Sequence, residues 1–432
     1  MRSFFKLIII GTIFGILSCN TVPQTTEQKT APTQKAVVKK EKKKQKITKL
    51  DPLLRYVTKL TVEQKVGQLL MPALQTSSGS WITTIQDGYD VLSTYNVGGF
   101  ILYKGNIESA PQVQKLIYDL QSVAKIPLLF SIDLEGGKVN RLNRLSWGGF
   151  KDVPTAQIVG NANSTVMAKN LYSLLGAELR MLGITLNMAP VADVLSNPKN
   201  YLIGKRSFGT DVALVERMVT AAVEGFQQSG VGAVLKHFPG HGSTDKDSHV
   251  DRLSSKIGVE AFRVSLKPFL TGVRAGAAAV MVNHVQYPKV TKEKAPSSLS
   301  SLIINDILRT RMKFHGVVIT DSMSMKGILK DFPTQKAVVM AAQAGADIIL
   351  RPENVGRAYQ SLLAAVKNGT ISMEHLNASV VRIIGLKKAL GIMDIDNDLQ
   401  AKFVMRPDKL LNKGKKVTAL VQAIRNAAKK KK

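Results

Sequence analysis

The sequence predicts an α/β fold, a (β/α)8 TIM-type barrel built as a single catalytic domain. Three observations carry that expectation. Short apolar runs alternate with longer amphipathic segments over most of the chain, the pattern of parallel strands joined by helical crossovers. Each run ends in residue types able to do chemistry: Lys104, Asp133, Asp193, Lys236-His237, Asn283-His284, Asp321 and Arg351 in turn. Reactive groups after many strands are how a barrel assembles one site from its loops, whereas an open doubly wound sheet gathers them near one switch point. Finally, 432 residues at 44% hydrophobic composition can bury a core of that size.

Taken in order, the chain opens with Arg2 and Lys6 ahead of the apolar run Leu7 to Leu17. That run is short for a bilayer span and has the charged-then-apolar order of a secretion signal. It ends in Ile16-Leu17-Ser18-Cys19, which resembles a bacterial lipobox. Residues 1–18 are then a signal peptide and Cys19 the lipid-carrying residue, anchoring an exported protein to the cell envelope on its periplasmic or outer face. An ordinary signal peptide or an uncleaved anchor is the alternative, and Leu17 is a looser fit than the usual small residue. Cys19 is the only cysteine, so stability has to come from packing and not from disulfides.

Residues 19–49 read as a basic, flexible linker, rich in Thr, Gln, Pro and Lys and without apolar periodicity. The formal charge of +29 suggests nucleic acid at first sight, but residues 20–49 contribute +7 and residues 406–432 contribute +9. Charge concentrated in two flanks, without interleaved aromatic platforms, argues for solvated ends and against a nucleic-acid partner.

The domain is expected over 50–394. Thr61 with Gln64 three places on is a capping-box signature, and apolar spacing extends the helix it starts from Leu60 to Met71. The strand-like runs are Val97–Tyr103, Pro127–Ile132, Ile184–Met188, Val231–Leu235, Ala278–Val282, Gly316–Thr320 and Ala346–Leu350. Helical patterns fall over 164–182, 211–229, 260–275, 297–312 and 334–344, and a helix over 373–391 closes the domain. No eighth strand stands out by pattern. Residues 395–432 form a basic C-terminal extension, expected to be disordered, although Val417, Leu420, Val421 and Ile424 have the spacing of a short amphipathic helix suited to an anionic surface. There is no glycine-rich phosphate loop and no paired Cys/His spacing, so no metal or nucleotide cofactor is expected.

Three stretches carry chemistry. Ile132-Asp133-Leu134-Glu135-Gly136-Gly137 through Arg141 sets two carboxylates at a strand end with an arginine beyond, able to bond adjacent sugar hydroxyls or to form a structural ion-paired turn. Leu235-Lys236-His237-Phe238-Pro239-Gly240-His241-Gly242 ends an apolar run in cationic and imidazole groups, and Asp247-Ser248-His249 follows. Thr320-Asp321-Ser322-Met323 puts a carboxylate at a strand mouth, where a nucleophile or a helix N-cap both fit. Trp147 could stack on a sugar face or pack in the core.

Together with Lys205-Arg206-Ser207-Phe208-Gly209, these stretches, in this order and at these separations, resemble glycoside hydrolase family 3, and within it the bacterial β-N-acetylglucosaminidases that act on cell-wall fragments. The resemblance covers about 50–394. It implies a retaining, exo-acting enzyme that releases N-acetylglucosamine from peptidoglycan-derived or related glycans without a cofactor. A monomer is expected. It also implies Asp321 as nucleophile, His249 as acid/base with Asp247 as its partner, and Asp133, Arg141, Arg206, Lys236 and His237 as sugar-binding residues. His237 and His241 are rival acids. Ser243 departs from the acidic residue often found after Gly-His-Gly in relatives. A β-glucosidase, a phosphorolytic variant and a non-catalytic glycan-binding surface lipoprotein are the alternatives.

Overall fold

The computed structural model describes residues 51–76, 78–244, 253–395, 401–403 and 414–430. Among them eight parallel strands close into a ring. They are β1 (Leu70–Met71), β2 (Gly99–Leu102), β3 (Leu129–Ile132), β4 (Leu186–Asn187), β5 (Gly232–Phe238), β6 (Ala279–Val282), β7 (Val317–Thr320) and β8 (Ile349–Leu350). Strands β2 to β7 are hydrogen-bonded in sequence order, and β1 pairs with β8 through Leu70–Ile349 and Met71–Leu350. Single parallel bridges, Ala73–Ile101 and Ile319–Ile348, complete the ring between β1 and β2 and between β7 and β8.

The seven apolar runs are β2 to β8. The eighth strand lies where the sequence predicts helix. The helix at the start of the domain does begin as expected: Thr61 Oγ1 accepts from the Gln64 amide at 3.2 Å and the Gln64 side chain accepts from the Thr61 amide at 3.0 Å. It covers only Val62–Gln68, and Leu70–Met71 turn into the barrel as β1. The cause is local: the Gln68 carboxamide is drawn to the Asn96 carbonyl at 2.8 Å, and the Leu70 carbonyl accepts from the Gly98 amide, which ties the helix end to the entry of β2. A two-residue strand offers no alternation from which to recognise it.

The crossovers run outside the ring, and most start on a side-chain cap. Ser109, Thr155, Ser164, Asp211 and Ser372 each accept a backbone amide in the first turn of their helices, contributing about 1 kcal/mol apiece. The strands themselves are wholly buried, from Phe100 and Phe130 (ring centroids 6.1 Å apart) to Val318 and Ile349.

Where it is described, the C-terminal extension is folded, contrary to the expectation of disorder. Met393–Ile395 pairs antiparallel with Ala401–Phe403, and Gly414–Lys429 is a helix with Val417, Val421 and Ile424 buried. It packs on the helices Ala156–Ala162 and Thr165–Met181. Burying each aliphatic side chain contributes about 1.5–3 kcal/mol, which favours docking over a solvated tail, and its apolar face meets protein and not a membrane surface.

Candidate active site

The C-terminal ends of the strands open into a cleft of about 1100 Å³. Asp133, Glu135, Arg141, Arg206, Lys236, His237 and Asp321 all line it. In extended backbone, residues two apart share a face, so Asp133 and Glu135 both turn inward, one ending β3 and the other in the short hairpin Leu134–Gly136 with Val139–Asn140. Gly136 and Gly137 make the turn at φ +102° and +57°. A Cβ on Gly136 would lie 2.0 Å from the Pro154 carbonyl oxygen, so only glycine fits.

Lys236, near the end of β5, is 2% exposed. Its Nζ meets Asp133 Oδ1 at 2.8 Å and Glu135 Oε1 at 2.5 Å. Arg141 Nη2 donates to the other Asp133 oxygen at 3.0 Å. Arg206 clasps Glu135 with two bonds, Nε to Oε2 at 2.7 Å and Nη2 to Oε1 at 2.8 Å. Burial alone would raise both carboxyls, but Lys236 and Arg141 hold Asp133 below the usual range, and Arg206 and Lys236 do the same for Glu135 more strongly. Conversely, burial would lower Lys236, and its two carboxylates raise it. The network is therefore fully ionised at neutral pH, and its charges are mutually fixed before any ligand arrives.

His237 is locked from both sides. Its Nδ1 lies 2.7 Å from Asp193 Oδ2 and its Nε2 3.1 Å from Arg206 Nη2. A guanidinium has only donors, so Nε2 accepts and the ring proton sits on Nδ1, donated to Asp193. Asp193 is buried and also accepts the His237 amide at 3.2 Å and the His241 amide at 2.6 Å. Burial would raise its carboxyl, but the two histidines bring it below its ordinary value. Burial pushes the His241 imidazole down to about 4.

Asp321 follows β7. Its amide donates to the Val282 carbonyl at 2.8 Å, and its Oδ1 accepts from the Ser322 amide at 2.7 Å. His284 braces the next residue: Nε2 donates to the Ser322 carbonyl at 3.1 Å, and Nδ1 lies 2.7 Å from Ser298 Oγ. Tyr103 also lines the cleft, with the Arg141 and Arg351 guanidinium carbons 5.2 and 4.8 Å from its ring centroid and the Trp81 ring tilted against it at 5.4 Å.

The structure thus brings together Asp133, Arg141, Arg206, Lys236, His237 and Asp321. Asp247, His249 and Cys19 lie outside the described residues. Trp147 packs 6.0 Å from Phe150 and does not line the cleft, so the core reading of that residue holds. Ser243 bonds Ser255 Oγ at 3.1 Å. Sequence reasoning passed over Glu135 as a partner of Arg206, and Tyr103 altogether. The i, i+2 spacing from Asp133 was the available signal for the first. Among the described residues no group of three or more His, Cys, Asp or Glu is placed to hold a metal ion.

The barrel, with ion-paired charges at the strand mouths around a carboxylate, agrees with what the chain matches. The glycosyl hydrolase family 3 N terminal domain matches residues 61–386, and the chain belongs to that family. It is 35% identical to a beta-hexosaminidase of Xanthomonas oryzae pv. oryzae, covering 68% of this chain and 86% of the relative. It is 33% identical to beta-hexosaminidase A of Pseudoalteromonas piscicida over 77% of this chain, and spans only 62% of that relative's length. A solved family 3 beta-N-acetylglucosaminidase from Paenibacillus sp. str. FPU-7 superposes with a TM-score of 0.75 at 38% identity, covering 85% of this chain and 69% of the other.

Proposed function

We propose that the chain is a retaining, exo-acting β-N-acetylglucosaminidase that removes terminal N-acetylglucosamine from peptidoglycan-derived or related glycans. The observation that carries this reading is that Asp321 lines the same cleft as the ion-paired set Asp133, Arg141, Arg206 and Lys236. Those paired groups offer a terminal sugar donors and acceptors already held in place, which reduces the ordering cost on binding. The names of the relatives supply the sugar.

In the proposed reaction the Asp321 carboxylate bonds to the anomeric carbon as the glycosidic bond breaks, and the leaving oxygen takes a proton from His249. Water then attacks the anomeric carbon, His249 recovers the proton, and Asp321 leaves. Asp247 orients His249. Support for His249 comes by exclusion of its rivals: both ring nitrogens of His237 are bonded to charged partners, and His241, lowered to about 4, is a neutral imidazole and a poor acid at neutral pH. Cys19 would tether the enzyme to the envelope through a lipid, and loss of membrane fractionation in a Cys19→Ala variant tests this.

Turnover of aryl β-N-acetylglucosaminide should exceed that of aryl β-glucoside, with no requirement for phosphate. The Asp321→Asn variant should lose about three orders of magnitude or more in kcat while staying folded. Retained turnover in that variant removes the mechanism, and preference for glucoside or dependence on phosphate replaces the substrate or the acceptor.

A further inference from the structure

The helix Gly414–Lys429 lies behind the sugar-binding hairpin with one loop between them, and we propose that it is a positioning element for the terminal-sugar site. The inference rests on the function proposed above for what is bound, but its geometry does not.

The first contact is between the helix and the loop that follows Arg141. A Cβ on Gly149 would fall 2.2 Å from Val417 Cβ, so the helix rests directly on the loop backbone. Arg425 Nη2 donates to the Asp152 carbonyl at 3.2 Å, fixing a second point. From the barrel side the buried Glu178 carboxylate accepts the Gly149 amide at 3.0 Å. The loop is therefore clamped between the helix Thr165–Met181 and the C-terminal helix.

The second contact is between the loop and the hairpin. Asn140 Nδ2 donates to the Phe150 carbonyl at 2.6 Å, and Asn140 Oδ1 accepts the Leu142 amide at 2.9 Å. The Gly137 amide donates to the Val153 carbonyl at 3.0 Å, and Gly136 packs under Pro154. These bonds hold the hairpin that bears Glu135 and leads to Arg141, whose own amide returns to the Asp133 carbonyl at 3.1 Å. Each fixed point between the helix and Arg141 is a hydrogen bond to a backbone group or a close-packed glycine. Interiors packed this closely transmit displacement.

Undocking the helix should loosen sugar binding more than it slows the chemistry at Asp321, which rides on β7 away from this loop. The test uses the full chain and two variants: Ile424→Asp, which places a charge in the buried face of the helix, and Arg425→Ala, which removes only the bond to Asp152. Two readouts are taken, steady-state kinetics on aryl β-N-acetylglucosaminide and amide hydrogen exchange over 134–155. Ile424→Asp should raise KM about tenfold with kcat within about twofold, and speed exchange at Gly137 and Gly149. Arg425→Ala should raise KM about twofold, with Arg425→Lys restoring it. Faster exchange over 414–430 with unchanged KM and unchanged exchange over 134–155 overturns the proposal, as does an equal fall in kcat and kcat/KM. If the parent does not turn over the aryl substrate, the functional reading fails, while exchange still decides the coupling.

Discussion

Buried charge is found at both ends of this barrel, and the two ends use it differently. At the mouth, Asp133, Glu135, Lys236 and Arg206 are paired with one another and face the cleft. At the base, Asp347 takes Arg309 at 2.6 Å, Arg382 at 2.8 Å and the Val318 amide at 2.8 Å, and Lys387 meets the Gln68 carboxamide at 2.5 Å. The mouth network spans β3, the loop after β4, and β5, so each pair fixes one strand end relative to another around a binding space. The Asp347 cluster spans the entry to β7, the entry to β8 and the closing helix Met373–Ala389, and it does not line the cleft. Desolvating charge is costly in both places. At the mouth the return is a preorganised site, and at the base it is a ring held closed.

That contrast predicts different losses. The largest after Asp321→Asn is Asp347→Asn, which leaves Arg309 and Arg382 sharing a neutral partner in a buried setting. It should cost about 3 kcal/mol in urea unfolding, the scale of a broken buried ion pair, with KM and kcat of the folded protein unchanged. Arg206→Lys should do the reverse. A lysine cannot keep both bonds to Glu135 and the donor to His237 Nε2, so kcat/KM should fall by about two orders of magnitude, with a smaller loss of stability. Equal kinetic damage from both variants would erase the distinction between the two ends.

The mouth was largely legible in the sequence because most of its residues follow an apolar run. Asp133, Lys236, His237 and Asp321 each announce a strand end, and Arg206 came through the family resemblance. What stayed hidden is pairing, because Glu135 with Arg206 and His237 with Asp193 join residues far apart in the chain. The base was hidden for a different reason. Asp347 sits inside the run Ala346–Leu350 and Lys387 inside an amphipathic helix, where a charged residue reads as a solvated position. Strand β1 was absorbed into the helix before it because two residues carry no period. The C-terminal helix was masked by its lysines, though Val417, Val421 and Ile424 already had the right spacing.

Lys387 gives the smallest and most specific effect, because it separates burial from pairing. It is 0% exposed and no carboxylate among the described residues neutralises it, so burial pushes its ammonium down to about 7, against 10.5 for a free lysine. The unfolded chain keeps that proton up to about 10.5, so between the two values it binds more protons than the folded state, and stability rises with pH across that window. Below about 7 both states are charged and the desolvation cost is present in full. A Lys387→Met variant removes the charge while keeping the volume, losing only the bond to Gln68. It should be more stable than the parent by about 1–2 kcal/mol at pH 7, and the advantage should shrink as pH approaches 10, because the cost of keeping the buried lysine neutral falls as pH nears its unfolded value. Urea midpoints of both proteins at several pH values measure this. An advantage independent of pH would mean that Met improves packing alone, and a less stable variant would mean that the bond to Gln68 outweighs the cost of the buried charge.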